Sequence, residues 1–369
     1  MSISLAQRNV FHEWGKLILS VLSIAAALTL IMLLVGFRDG MYSAVAAYTD
    51  NVGADLIVTQ SGGKGALASS AIPAAIHGEI ASASQAVEVE HVLAADIIFT
   101  RGDIKIPAVL IGYNLQTGVG GPWSLRQGRV VQDDNEITLD TWLAHHAGIG
   151  INDEVDVLGR RFRVVDLTSQ TTSWVGSYIF VSRAAAEDLL QQPGIASFYL
   201  LRLPAGTDTG AVARAIESQV AGVEALTPDQ IAASRRKTLA SVIGAPVTLM
   251  LAIAFTTGTA VMGLTTHTAI VERVREYGVL KAVGASGNWL RRLVIFETLY
   301  RASLGFVLGI GLSSLAAQMI MRVFPQFTII FRPETIGVVG LSALVMTAFA
   351  ALLPIRRVIA IDPAVVFKA

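Results

Sequence analysis

The stretch Ala269-Ile-Val-Glu-Arg-Val-Arg-Glu-Tyr-Gly-Val-Leu-Lys-Ala-Val-Gly-Ala-Ser286 is charged, punctuated by glycine and set between two segments apolar enough to cross a bilayer. A segment of this kind is a short connection that meets water, and it fixes the layout on either side. Upstream, no Asp, Glu, Lys or Arg occurs from Thr238 to Val271, and Val242 to Leu264 is the most apolar part. Pro246 lies near the outer end of that window, where it starts or kinks a helix. Downstream, Ala302 to Met321 and Thr335 to Ile355 give two more spans, with Pro354 closing the last. Far upstream, Leu17 to Phe37 is free of charge. As a helix it would be roughly 32 Å long, enough for a hydrocarbon core of about 30 Å. It outruns the h-region of a signal peptide, and the following Gly36-Phe-Arg-Asp-Gly-Met41 lacks a small-residue cleavage pattern.

Composition agrees with four spans. Hydrophobic residues make up 53% of the 369 positions and charged ones only 15%, outside the usual soluble range. A formal net charge of zero gives no case for a nucleic-acid partner, and the absence of cysteine excludes disulfides, thiolate metal sites and cysteine catalysis. Lys and Arg set the orientation. Arg8 and Lys16 in the N-terminal arm, Arg273, Arg275, Lys281, Arg291, Arg292 and Arg301 after span two, and Arg356, Arg357 and Lys368 in the tail outweigh Arg322 and Arg332 in the opposite loop. Both termini and the 269–286 stretch are therefore expected in the cytoplasm of a bacterial plasma membrane.

The expected order is a cytoplasmic amphipathic helix (1–16), span one (17–37), a stalk (38–53), an extracytoplasmic domain (54–227), a second stalk (228–240) and span two (241–266). A cytoplasmic loop (267–292), span three (293–321), a short external loop (322–334), span four (335–355) and a cytoplasmic tail (356–369) complete it. Within 54–227, β-branched runs predict strands at Ala54–Gln60, Asp96–Arg101, Lys105–Gly112, Glu136–Leu139, Glu154–Leu158, Arg161–Leu167, Tyr178–Ser182 and Phe198–Leu203. Helical patterns fall at Pro73–Ala83, Asp140–Ala147, Ala184–Gln191 and Thr209–Ala221. The irregular mixture predicts an α+β domain with room for two lobes.

Several motifs carry no chemistry. Gly62-Gly-Lys-Gly65 does not match a phosphate loop, because glycine follows the lysine and position 58 is Val. His145 and His146 are adjacent on a helix and cannot face one metal together. Asp133, Asp134 and Glu136 read as a solvated turn. The spans carry almost no ionisable residues, which argues against a proton- or sodium-driven carrier.

Read as a helix, Ile270, Val274 and Tyr277 share one face, Glu272 and Glu276 stand a turn apart on another, and Gly278, Gly284 and Gly287 limit or bend it. A short amphipathic helix of this kind suits a cleft on a protein partner. The run Glu272-Arg-Val-Arg-Glu-Tyr-Gly-Val-Leu-Lys-Ala-Val-Gly-Ala-Ser286, with Glu297 entering span three, resembles the MacB/FtsX-type ABC transporter permease family. So does the closing Leu353-Pro-Ile-Arg-Arg357 with Asp362-Pro-Ala-Val-Val-Phe367, nearest to DevC-like and HrtB-like members. The resemblance implies a homodimeric permease that holds no cofactor itself, with ATP and magnesium on separate cytoplasmic ABC ATPase subunits. Glu272, Arg273, Arg275, Glu276, Tyr277, Gly278, Lys281, Gly284, Ala285 and Ser286 would then form the coupling helix and its turn. It further implies mechanotransmission, in which ATP-driven closure moves the stalks. A DevC-like protein would export glycolipid with a periplasmic adaptor, a HrtB-like one would expel haem, and an FtsX-like one would signal to an extracytoplasmic partner without transport. Arg38, Met41, Tyr42, Tyr48, Arg235, Arg236 and Lys237, near the outer membrane surface, are the expected contacts for an amphipathic substrate or membrane lipid.

Overall fold

A computed structural model of the chain describes residues 14–63, 67–169, 171–172, 176–324 and 326–359. The N-terminal arm up to position 13, Lys64 and Gly65 of the glycine-rich turn, and the closing Asp362–Phe367 block lie outside these residues. In chain order the elements are helices α1 (Trp14–Ala44) and α2 (Ala47–Asn51), strands β1 (Leu56–Gln60) and β2 (Ile72–Pro73), and helix α3 (His77–Ser84). Next come β3 (Glu88–Arg101), β4 (Ile104–Tyr113), β5 (Glu136–Asp140), α4 (Thr141–His146), β6 (Glu154–Val157), β7 (Arg160–Thr168) and β8 (Ser177–Ser182). They are followed by α5 (Arg183–Leu190), β9 (Ile195–Ala196), β10 (Phe198–Arg202), α6 (Thr209–Gln219) and β11 (Val223–Leu226). Four helices complete the chain: α7 (Pro228–Glu272), α8 (Val274–Ala282), α9 (Gly287–Val323) and α10 (Pro333–Ile359).

The elements form two compact units. One comprises Met41–Val242 with Phe324–Thr328; the other comprises the remaining helical segments.

The first unit is built on a nine-stranded mixed sheet of order β11-β1-β10-β3-β4-β8-β5-β7-β6. The β4–β8 and β5–β7 pairs are parallel. Side chains alternate across a strand, and the two faces follow from that period of two. Leu56 and Val58 join Tyr199, Leu201, Ile80 of α3 and Ile216 of α6 in one core. Ile57, between them, turns the other way to meet Phe198, Leu200, Tyr48 of α2 and Ile231 of α7. Toward the far edge, Leu110, Ile179 and Val181 pack with Leu143 of α4 and Ala185 and Ala186 of α5. Residues 88–92 of β3 pair with β10 and residues 93–101 pair with β4, so the two ends of the sheet meet along this one strand. The sequence reading missed β11 and the first half of β3. Val223-Glu-Ala-Leu226 is too short to show a period of its own, and its partner β1 holds it at the sheet edge.

In the helical unit, Ile24, Leu28 and Met32 of α1 pack with Met262 of α7, Ala302 of α9 and Val339 and Met346 of α10. Close approach depends on small residues: a Cβ on Gly305 would stand 2.5 Å from the Cγ2 of Ile24. The outward faces are apolar. Leu249, Leu264, Val307 and Leu341 are 62%, 67%, 69% and 63% exposed. In water each such side chain would cost about 25 cal/mol per Å² of apolar surface, whereas in lipid it costs nothing. Among the described residues, four helices are long and apolar enough to cross a membrane. The chain is a multi-pass membrane protein with an α+β domain between its first and second spans.

Three details depart from the sequence reading. Helix α7 runs unbroken through Pro246 from Pro228 to Glu272. Helix α10 continues past position 354 to Ile359, so Pro354 does not close it. The 269–286 stretch is mostly helix rather than loop: α7 occupies its first residues, α8 its centre, and only a turn separates α8 from α9.

Candidate functional site

The break between α7 and α8 falls at Arg273, whose φ of −102° and ψ of 15° leave the helical region. Helix α8 then passes straight through Gly278, which is buried inside it, and ends before Gly284. Gly284 has a φ of +101°, open to glycine and strained for other residues. Gly287 opens α9. Of the three glycines expected to limit the helix, Gly278 therefore does not: it lies buried within α8.

The expected coupling residues divide into two sets. Arg273, Tyr277 and Gly278 are buried, and Lys281 and Ala285 are half-buried. Glu272, Arg275, Glu276, Gly284 and Ser286 are exposed, alongside Val279 and Val283. The exposed set runs from the end of α7 through α8 to the turn before α9; Val283 is 84% exposed. Arg273, expected among the coupling residues, is buried where the helix breaks.

Beneath α8 lies a polar cluster walled by Ile270, Leu290, Leu293 and Val294. The Tyr277 hydroxyl donates to Oε2 of Glu297 at 3.2 Å. Arg273 and Arg301, each 7% exposed, stand close by, and Glu297 is 3% exposed. Burial first, and then the Glu297 carboxylate, push the Tyr277 phenol up, with Arg273 and Arg301 opposing. Charges out of water need partners of opposite sign at fixed geometry. The cluster therefore ties α8 to α9 in one orientation. Arg301 was counted only as a topogenic charge from sequence; its spacing of one helical turn from Glu297 was the signal available.

The expected substrate contacts scatter. Arg38 pairs with its neighbour Asp39 at 2.9 Å, and Asp39 also accepts from Thr335 at 2.8 Å. Arg236 donates to the Tyr42 carbonyl at 3.3 Å and stands 3.8 Å from Asp50. Met41 is buried, Tyr42 half-buried and Lys237 exposed. Tyr48 and Arg235 alone of this set line a cavity of about 560 Å³, which lies wholly within the α+β unit. The Tyr48 hydroxyl is committed to the Gly120 carbonyl at 3.0 Å, and its ring stacks on Tyr178 at 5.7 Å. Burial pushes the Tyr178 phenol up, while the hydrogen-bonded Arg235 guanidinium pulls it down.

The remaining motifs are structural. Glu136, 8% exposed, is gripped through both oxygens by Arg129, and Asp134 accepts from Ser182. That turn is thus pinned rather than merely solvated. His145 and His146 are exposed, His146 stacking on Trp142 at 5.3 Å. Among the described residues no group of three metal-ligating side chains occurs.

The geometry defines a membrane protein with a sheet-based domain inserted between its first two spans and a short amphipathic helix joining the second and third. Family models place it. The MacB-like periplasmic core domain matches residues 17–219, and the FtsX-like permease C-terminal domain matches residues 248–363. The chain belongs to the MacB/FtsX-type ABC transporter permeases. An ABC transporter permease of Mycobacterium tuberculosis is 21% identical over 361 residues, covering 96% of this chain and 97% of its own. One from Mycobacterium bovis is 23% identical over 372 residues, covering 98% of each. The solved periplasmic region of MacB from Actinobacillus actinomycetemcomitans is similar at 14% identity and a TM-score of 0.38, covering 48% of this chain and 91% of that one. Membership makes the chain the membrane-embedded part of an ABC transporter and implies partnership with an ATP-binding subunit.

Proposed function

We propose that this permease couples ATP hydrolysis on its partner to export of an amphipathic substrate of the lipid, glycolipid or haem class by mechanotransmission. The observation that carries the reading is the two-sided construction of α8, with Arg275, Glu276 and Val279 exposed, Glu272 and Val283 exposed just beyond its ends, and a buried face fastened to α9. The exposed face seats in the ATP-binding subunit, where ATP and magnesium reside. The buried face passes the movement to the membrane helices. Helix α7 runs without a break from Pro228 to Glu272, which supports rigid transmission along it. Both termini and α8 lie in the cytoplasm, and the α+β domain lies outside.

Two copies form the permease. Only 11% of the most apolar window of α7 is buried within one chain, which leaves that helix free to pack against a second copy. A periplasmic adaptor joins where the substrate must also cross an outer membrane.

Two tests bear on the reading. Glu276→Lys reverses charge on the seated face, and Gly278→Pro inserts a ring and removes an N–H inside α8. Each is expected to uncouple transport from ATP hydrolysis in the reconstituted complex while the chain still inserts. A fully coupled complex carrying either change would overturn the assignment. A membrane-impermeant thiol reagent applied to intact cells is expected to reach cysteines introduced between 67 and 230 and to miss those at 272–286; the opposite pattern would reverse the topology.

A further inference from the structure

The cavity of about 560 Å³ in the α+β unit has the size of a small-ligand site, for which roughly 300–1,000 Å³ is usual. Strands β3 and β4 form its floor, and α2 and the first turns of α7 close its sides. Val45, Leu67, Ala94, Ile111 and Phe198 supply an apolar wall, all of them buried in the fold. Water held against such a wall lacks the two to four polar partners it needs, so the space favours hydrocarbon.

The polar lining residues include Ser69 and Thr238, and three others stand together. Arg235, Tyr178 and Asp96 gather at one part of the lining. Tyr48 adds only its ring, since its hydroxyl is taken by Gly120. Arg235 is the one cation among the described lining residues. Its guanidinium carries five donors in a planar fork, more than the single phenol oxygen of Tyr178 can accept. Arg236, the next residue, is engaged with Tyr42 and Asp50. Asp96 is exposed and opposes a second negative charge on anything that Arg235 holds.

We infer that this cavity binds a single-chain amphiphile with one anionic group, its hydrocarbon against Ala94, Ile111 and Phe198 and its head on Arg235. The inference deepens the export reading by naming the chemistry of a ligand and the place that holds it. Size, an apolar wall and the Arg235 guanidinium, the one cation among the described lining residues, favour a fatty-acid-like or singly charged phosphoester head over a cationic one.

The test uses the full chain in lipid nanodiscs and dodecanoate carrying a photoreactive diazirine at the end of its chain. Irradiation followed by peptide mapping is expected to place label on segments 44–48, 67–69 and 94–111. Unmodified dodecanoate should compete, and dodecyltrimethylammonium should not. Arg235→Gln is expected to weaken labelling about tenfold or more, as loss of a charge-assisted hydrogen bond does. Ala68→Trp should fill the space and abolish labelling, and Ser69→Trp, from an exposed lining position, should do the same without a buried change. Label confined to the membrane helices, equal competition by the cationic amphiphile, or labelling indifferent to both tryptophans would overturn the inference. ATP hydrolysis measured in the complex separates the two readings. Stimulation by dodecanoate without cavity labelling would overturn the cavity and leave export standing. Cavity labelling without stimulation would support the site and remove this ligand as cargo.

Discussion

The underside of α8 and the cavity of the α+β unit both gather arginine and tyrosine away from water, yet they are built in opposite ways. Under α8 the polar groups are enclosed by apolar side chains. Tyr277, Glu297, Arg273 and Arg301 press together inside a shell of leucine, isoleucine and valine. In the α+β unit the arginine and tyrosine stand beside a void of about 560 Å³. An enclosed polar cluster holds two helices in one relation, which suits passing on a movement. An apolar pocket with one cation among its described lining residues suits receiving something. One chain thus carries a fixed joint and an open receptacle, and each can be disturbed while the other is watched.

The largest effect is expected from Glu297→Leu. It leaves Arg273 and Arg301 buried without the carboxylate, a change that costs roughly 3–5 kcal/mol when a buried ionic group loses a member. Thermal unfolding of the reconstituted permease should show a marked loss of stability. Arg275→Ala, on the exposed face of α8, should change stability by less than about 0.5 kcal/mol while lowering coupling. Equal effects of the two on stability would erase the distinction between the faces. Next in size is Gly305→Val. Its Cβ would meet the Cβ and Cγ2 of Ile24 at 2.8 and 2.5 Å, overpacking worth about 1–3 kcal/mol. Gly311→Ala, with nothing within 4 Å of the added carbon, should be neutral in the same unfolding measurement.

How much of this was legible beforehand differs between the regions for physical reasons. Charge-free windows reveal spans because lipid tolerates little else, so all four helices could be read from residues such as those between Leu17 and Phe37. The Arg273–Ser286 block could be read as a partner-facing element. What could not be read was its division into two faces. That depends on the turn at Arg273, which shifts the helical phase by an amount no periodicity records. Strand positions were visible in alternating runs, whereas β11 depends on its pairing with β1. The cavity could not be foreseen at all, because a void is a property of packing between distant segments. Tyr48 and Arg235 were chosen for chemistry, and so were Arg38 and Arg236, whose partners Asp39, Asp50 and the Tyr42 carbonyl become apparent only in three dimensions.

A smaller effect sharpens the contrast from the α+β side. Burial first, then Arg183 and His77, lower His91 from 6.5 to about 4. The folded state therefore binds fewer protons than the unfolded one between these values. The contribution of neutral His91 to stability is complete above pH 6.5 and is lost as pH falls through about 4. His91→Gln should flatten the acid limb of unfolding followed in that range; an unchanged limb would show that other groups cause it.

The absence of cysteine from the 369-residue chain permits the most direct measurement of the central claim. A single cysteine at position 276 or 283, on the exposed face of α8, is treated with a short bifunctional thiol reagent in the assembled complex. Cross-linking to the ATP-binding subunit, changing in yield between the ATP-bound and nucleotide-free states, is the expected result. No cross-link at either position, in a complex whose ATP hydrolysis is intact, would contradict the account.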